Sequence, residues 1–259
     1  MVTANHKQLA PERWDRLRAL IRHNRIVRIE ELCRELDVSP ATVRRDLEQL
    51  EERGEIQRVH GGAINIERRV EEPLFDAKTS IATKEKQRIA RAALEWVKPT
   101  ETIYLDGGST VLELARLLHD FSNLTVVTNS LRAALELAGR GPRLILVGGE
   151  LRRLSQTVVG PLTRRLLQDL HIDTAFMGTI GLTSEQGLTT TDPSEAFTKE
   201  LVMNRANTVI VLADSSKAGK VAFAHAGNLD TVDVVITDNK ADRGFARELQ
   251  EKGVKLVRA

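Results

Sequence analysis

The chain has 259 residues, of which 41% are hydrophobic, with 38 Lys+Arg against 36 Asp+Glu for a formal net charge of +2. That apolar fraction excludes a disordered chain, and the length suits two domains or one large domain with a small appendage. The near-balance of charge excludes a nucleic-acid partner argued from bulk electrostatics. The first 70 residues, with 14 Lys+Arg and 12 Asp+Glu, carry the whole excess, so any such partner must be read from placement.

Met1 to Ala10 is polar, unlike a signal peptide, and no later apolar run approaches the roughly 18 residues of a membrane span. The expectation is a soluble, cytoplasmic protein with no membrane partner. From Pro11 to Arg22, Trp14, Leu17 and Ile21 form one apolar helical stripe. A second short helix, Glu30 to Leu36, turns Leu32, Cys33 and Leu36 inward. Cys33 is the only cysteine, which excludes an internal disulfide and a multi-thiolate zinc site, and it reads as a small buried hydrophobe. The turn Asp37-Val38-Ser39 leads into Pro40, an N-cap oxygen followed by a proline at the first helical position. The third helix then runs to about Arg53 and stops at Gly54. Glu55 to Ile64 reads as two short strands around a tight Gly61-Gly62 turn.

At about 100° per residue, Val43, Leu47 and Leu50 share one face of the third helix. Ala41, Arg45 and Glu48 lie opposite, flanked by Thr42, Arg44 and Gln49. Small residues and arginines near a helix N-terminus suit entry into a major groove, where arginine makes bidentate contacts to guanine. Ser39, Ala41, Thr42, Arg44 and Arg45 are therefore candidates for DNA contact, joined by Arg58 and His60 beside the hairpin tip. Asp46, beside the apolar stripe, reads as an intramolecular partner for a neighbouring arginine. Nine aromatic residues are too few for a base-stacking platform, which points to duplex DNA.

Ser39-Pro40-Ala41-Thr42-Val43-Arg44-Arg45-Asp46-Leu47, Gly54-Glu55-Ile56 and Arg58-Val59-His60-Gly61-Gly62-Ala63 together resemble the DNA-binding domain of DeoR-type bacterial transcriptional regulators. The resemblance implies a winged helix-turn-helix over residues 1–64, with Thr42, Arg44 and Arg45 at the operator.

Residues 65–80 lose periodicity, gather charge and include Pro73, and read as a linker whose later part packs on a second domain over 81–259. There, helical and short apolar segments alternate. Strands are expected at Thr102–Leu105, Leu124–Val127, Arg143–Val147, Thr174–Met177, Thr208–Leu212, Val232–Ile236 and Lys255–Val257, which implies an α/β fold with a mainly parallel sheet covered on both faces. Polar, glycine-rich turns follow most of these strands: Asp106-Gly107-Gly108-Ser109-Thr110, Thr128-Asn129-Ser130, Gly148-Gly149-Glu150, Gly178-Thr179-Ile180-Gly181 and Asp214-Ser215-Ser216-Lys217. In an open parallel sheet these turns gather on one edge, where ligands bind. Gly107 to Thr110 opens directly into a helix, so amides and two hydroxyls are placed to surround an anion, with Lys217 as a neutralising charge. No nucleotide P-loop or dinucleotide fingerprint is present, and no cofactor or metal is expected.

The DeoR-type resemblance continues through Glu72-Pro73, Lys84-Glu85-Lys86, Leu105 to Thr110, Thr128 to Ser130, Gly148-Gly149, Gly187 to Thr190, Glu195-Ala196 and Ala213 to Lys217. It implies a sensor domain similar in fold to ribose phosphate isomerase that binds a phosphorylated sugar or related catabolite. Asp106, Gly107, Gly108, Ser109 and Thr110 would hold the phosphate end. Thr128, Asn129, Gly148, Gly178, Glu195 and Lys217 would line the rest, with Arg152 as a further basic candidate. The implied function is a transcriptional regulator, a repressor of a carbohydrate uptake or catabolic operon, acting as a homodimer or homotetramer on double-stranded operator DNA. The alternative is an enzyme of the sugar-phosphate isomerase kind. Against it, the acidic Asp-Gly-Ala-Asp-type turn of those isomerases is replaced by Met177-Gly178-Thr179-Ile180, without a carboxylate.

Overall fold

A computed structural model describes residues 10–23, 27–52, 56–59, 62–65 and 72–259. The chain divides into two compact units, Met1–Arg69 and Val70–Ala259.

In the first unit, α1 (Ala10–His23), β1 (Val27–Arg28), α2 (Ile29–Leu36) and α3 (Pro40–Glu52) precede a hairpin of β2 (Ile56–Val59) and β3 (Gly62–Asn65). Leu17 and Ile21 of α1, Leu32 and Leu36 of α2, and Val43, Leu47 and Leu50 of α3 close on Ile56 and Ala63 to make its core. Cys33 is only partly buried against that cluster. Asp37 takes a left-handed conformation (φ 52°) to end α2. Two residues later Ser39 caps α3, its hydroxyl accepting from the Thr42 amide at 3.3 Å. Gly62, expected in the hairpin turn, instead opens β3 and pairs with both Val59 and Arg28. The third strand, β1, is only two residues long, too short to leave a period-2 signature in the sequence.

The second unit starts with α4 (Phe75–Ser80), within the stretch read from sequence as linker. Its Phe75 is buried in the core of this unit. Next come α5 (Thr83–Leu94), β4 (Thr102–Leu105), α6 (Ser109–Ala115), β5 (Thr125–Thr128), α7 (Leu131–Leu137) and β6 (Arg143–Leu146). A hairpin of β7 (Glu150–Arg152) and β8 (Thr157–Val159) follows, then α8 (Leu162–Leu167) and β9 (Ile172–Met177). The remainder is β10 (Gly181–Thr183), β11 (Gly187–Thr190), α9 (Pro193–Met203), β12 (Ala206–Leu212), β13 (Ala224–Gly227), β14 (Val234–Thr237), α10 (Arg243–Glu251) and β15 (Lys255–Arg258).

Seven of these strands form one sheet in the order β15-β14-β12-β9-β4-β5-β6, and every pairing is parallel. They are the seven strands expected from the apolar runs, with ends moved by one or two residues. Alternation along each strand feeds two cores. Ile103, Leu105, Val126, Phe176, Ile210 and Ile236 meet α5, α6 and α7 on one face. Tyr104, Val127, Ala175, Met177, Val211 and Val235 meet α8, α9 and α10 on the other. Two small antiparallel elements, β10-β11-β13 and β7-β8, were not legible in the sequence, since strands of three or four residues barely alternate. No helix among the described residues is long and apolar enough to cross a membrane.

The strand order fixes where the sheet opens a crevice. From β4 the chain builds outward through β5 and β6, then returns to the other side of β4 with β9 and builds the opposite way. Connections therefore diverge at the carboxyl ends of β4 and β9, and a crevice opens there.

Candidate functional site

Within α3 the helical period separates structural from exposed charge. Val43, Asp46, Leu47 and Leu50 are buried, while Ala41, Arg44 and Arg45 are exposed. Asp46 accepts from Arg13 Nε at 2.5 Å, Arg13 Nη2 at 2.9 Å and Trp14 Nε1 at 2.9 Å. Its partner is thus an arginine of α1, 33 positions away in the chain, rather than an adjacent one. The bond holds the Arg13 guanidinium above its ordinary pKa. Arg44 and Arg45 make no hydrogen bond or ion pair with the described residues. Ser39 and Thr42 sit at the N-terminus of the same helix, their hydroxyls 2.9 Å apart. Arg58 lies on β2, and His60 lies outside the described residues. The exposed edge of α3 offers two unpaired guanidinium forks, which suit groove edges or phosphates.

In the second unit, a cleft open to solvent lies at the ends of β4, β9 and β12. It brings together Gly107, Gly108, Ser109, Thr110, Gly178, Glu195 and Lys217, all expected from the sequence. The crossing of the β4 and β9 loops is tight. A Cβ on Gly107 would overlap the Thr157 side chain, and one on Gly178 would stand 2.8 Å from the Gly107 carbonyl oxygen. Asp106 is buried behind these glycines, accepting from the Gly178 amide at 2.9 Å and from Lys199. Burial raises its carboxyl pKa, against the pull of Lys199 and the Gly178 amide. Asp106 thus organises the loop crossing instead of facing the cleft.

Helix α6 begins at Ser109 and has seven residues, shorter than the Thr110 to His119 helix expected, so its dipole is a minor contributor. What it supplies is donors. The amides from Gly107 to Val111 and the hydroxyls of Ser109 and Thr110 find no hydrogen-bond partner among the described residues. Lys217 likewise makes no ion pair there. Burial lowers its ammonium pKa, opposed by Asp214 and reinforced by Lys220 and Lys78.

Glu195 is a heavily coordinated acid of the cleft. It accepts from Thr157 at 3.0 Å and Thr190 at 2.8 Å, with Arg152 at 3.4 Å. Burial works against its charge, but Lys199, Ser155, Arg152 and Thr190 together hold its carboxyl below the ordinary range. Arg152 stands behind the wall, paired with Glu72 at 2.9 Å, Asp192 at 3.3 Å and Glu195.

Besides Asp106 and Arg152, three more expected residues do not line the cleft. Thr128 turns its hydroxyl to the Leu105 carbonyl (2.6 Å) and the Ser130 amide (3.0 Å), fastening β5 to β4. Asn129 donates to the Val158 carbonyl at 3.1 Å, tying that loop to β8. Gly148 follows the edge strand β6, away from the β4–β9 crossing. Conversely, the sequence reading assigned no role to Glu72, Lys78, Lys86, Ser155, Thr190 or Lys199, all of which line the cleft. Lys199 had a signal, since it stands four residues after Glu195 on one helical face. Lys86 donates to the carbonyls of Lys78 (2.5 Å) and Ile81 (2.6 Å), clamping the end of α4. That partnership is visible only in three dimensions.

A winged helix-turn-helix accompanied by a parallel α/β unit with a polar cleft at its switch point defines a transcriptional regulator with a sensor domain. Residues 13–69 match the DeoR-like helix-turn-helix domain, and residues 81–239 match the DeoR C terminal sensor domain. The chain belongs to the DeoR family of transcriptional regulators. It is 37% identical over 244 residues to the HTH-type transcriptional regulator GolR of Listeria innocua, covering 94% of this chain and 96% of that protein. It is 35% identical over 249 residues to the HTH-type transcriptional regulator GlpR of Haloferax volcanii, covering 96% and 98%. It is 36% identical over 220 residues to the glycerol-3-phosphate regulon repressor of Escherichia coli, covering 85% and 87%. Among solved structures, a D-ribose-5-phosphate isomerase in complex with phospho-erythronic acid is 22% identical over 52% of this chain and 54% of its own, with a TM-score of 0.40, a likeness too low to bear on activity.

Proposed function

We propose that this regulator is a cytoplasmic repressor of a carbohydrate uptake or catabolic operon, and that a phosphorylated sugar or related metabolite in the cleft sets its affinity for operator DNA. One observation carries the ligand class. In a cleft whose other charges are mostly cross-paired, the amides of Gly107 to Val111, the hydroxyls of Ser109 and Thr110, and the ammonium of Lys217 have no partner among the described residues. Donors left open beside a cation match a phosphate, which has only acceptors to offer. Glu195 then accepts from a ligand hydroxyl. The name of the E. coli relative, a glycerol-3-phosphate regulon repressor, supports the same class.

On the DNA side, Arg45 and Arg44 read base edges or adjacent phosphates, Ser39, Ala41 and Thr42 fit the groove at the helix start, and Arg58 and His60 reach the backbone or minor groove from the hairpin. One short recognition helix spans too few base pairs for useful discrimination, so a homodimer or homotetramer on repeated half-sites follows. The effector acts by binding the DNA-competent and incompetent arrangements with different affinity. No turnover of the ligand is expected, because the Asp106 and Glu195 carboxylates are engaged by Lys199, Arg152 and neighbouring hydroxyls.

The test is fluorescence anisotropy of the full chain on duplex DNA upstream of its own gene, at one fixed salt concentration, with and without a pool of sugar phosphates. Tight binding that the pool shifts supports the proposal. The double substitution Ser109→Ala/Thr110→Ala should abolish the shift and preserve DNA binding, and an unchanged shift in that variant would refute the site. Consumption of any sugar phosphate by the protein would restore the isomerase alternative.

A further inference from the structure

The cleft already contains an anion of its own. Glu72 lines it, and its side chain is only 2% exposed. The carboxylate lies 2.6 Å from Lys78 Nζ and 2.9 Å from Arg152 Nη1, and accepts from the Thr191 hydroxyl at 2.5 Å. Lys78 is also a cleft-lining residue, and it lies near enough to Lys217 and Lys86 to lower both of their pKa values. Of these three ammonium groups, Lys217 has no partner among the described residues, Lys86 is clamped by carbonyls, and Lys78 is neutralised by Glu72.

We infer that Lys78 and Arg152 form an anion subsite that the chain fills with its own Glu72, and that a phosphate entering the cleft competes with this tethered carboxylate. The inference rests on the proposed phosphate reading of the cleft and assigns its regulation. Lys78 lines the same cleft as Ser109 and Thr110, and a dianion there competes with Glu72 for that ammonium and draws it away. Around Arg152 there remain Glu72, Asp192 and Glu195, three carboxylates on one guanidinium. With Lys78 withdrawn, Glu72 is the surplus charge of that group, because Glu195 lies on α9 and Asp192 caps its first turn, whereas Glu72 lies outside any helix or strand. A buried carboxylate that loses a partner is destabilised in place, which favours its moving out to solvent. Glu72 stands three residues after Arg69, the last residue of the first unit, and Pro73 connects it to α4. Its release therefore frees the start of the sensor unit where the chain arrives from the DNA-binding unit, and ligand binding becomes a change in that connection.

The experiment is titration of the full chain with inorganic phosphate by calorimetry, alongside hydrogen–deuterium exchange of the amides from Glu72 to Ser80. Glu72→Gln, which keeps the hydrogen bond to Thr191 but removes the charge, should bind phosphate about fivefold or more tightly. Its exchange without phosphate should already match the level the native chain reaches with saturating phosphate. Glu72→Asp, which keeps the charge and shortens its reach, should move in the same direction by a smaller factor and serves if the glutamine variant does not fold. Unchanged or weaker phosphate affinity in these variants, with exchange over 72–80 indifferent to phosphate in the native chain, overturns the inference. The Ser109→Ala/Thr110→Ala variant separates the two failures. If it loses phosphate while the Glu72 variants behave as native, only the tethered-anion idea fails. If the native chain binds no phosphate, or the double variant binds it undiminished, the phosphate reading fails and this inference with it.

Discussion

Helix α3 and the sensor cleft both concentrate charge, and they arrange it in opposite ways. On α3 Arg44 and Arg45 face out without a partner among the described residues, while Asp46, alone of the helix's four acids, is buried and held by Arg13 and Trp14. In the cleft, acids and bases are buried together, with Asp106 on Lys199 and Glu72 on Lys78 and Arg152. The difference follows from the partner. A polyanionic duplex supplies its own counter-charge at the surface, so arginines for it need no internal acid. In a partly buried cleft an unpaired protein charge is costly, so most charges there are held in pairs, and Lys217 is a cation without an ion pair among the described residues.

The largest effect expected from this contrast is in the cleft. Lys199→Ala leaves Asp106 buried and uncompensated and should destabilise the sensor unit by about 3 to 5 kcal/mol, read by urea unfolding. A loss of under 1 kcal/mol would mean that Asp106 is not charged in the native state. Next comes Arg45→Ala on α3, expected to weaken specific operator binding by roughly 1 to 3 kcal/mol with little change in unfolding. An equal loss on every DNA sequence would assign Arg45 to phosphate. Ser39→Ala removes the cap of α3 and should cost about 1 kcal/mol of stability in the first unit, with thermal melting as the readout.

The smallest effect is a pH dependence. The Glu195 carboxyl is depressed in the folded chain, so its contribution to stability is complete above its unfolded pKa and is lost as pH falls through the folded value. Glu195→Gln should therefore differ from the native chain most near neutral pH, and the gap should narrow below about pH 4. A gap constant from pH 7 to 3 would show that Glu195 stabilises through packing alone.

Much of this molecule is determined locally. The Ser39-Pro40 start signal and the apolar stripe of α3 place Arg44 and Arg45 outward from sequence alone, because a helix has a fixed period. The seven strands of the main sheet announce themselves as short apolar runs, and the glycine-rich turn after β4 is identifiable because close backbone approach needs residues without a Cβ. Other features depend on contacts between distant positions. Thr128 and Asn129 have the composition of ligand residues, yet their side chains donate to carbonyls of β4 and β8. Glu72 lies in a stretch without periodicity, and its place in the cleft depends on Arg152 and Thr191, 80 and 119 positions away. A helix or strand declares its faces through its period, and that much the sequence determined. Which buried charge meets which was decided only by tertiary structure, since an ion pair in a desolvated cleft is chosen by distance in space and leaves no spacing along the chain.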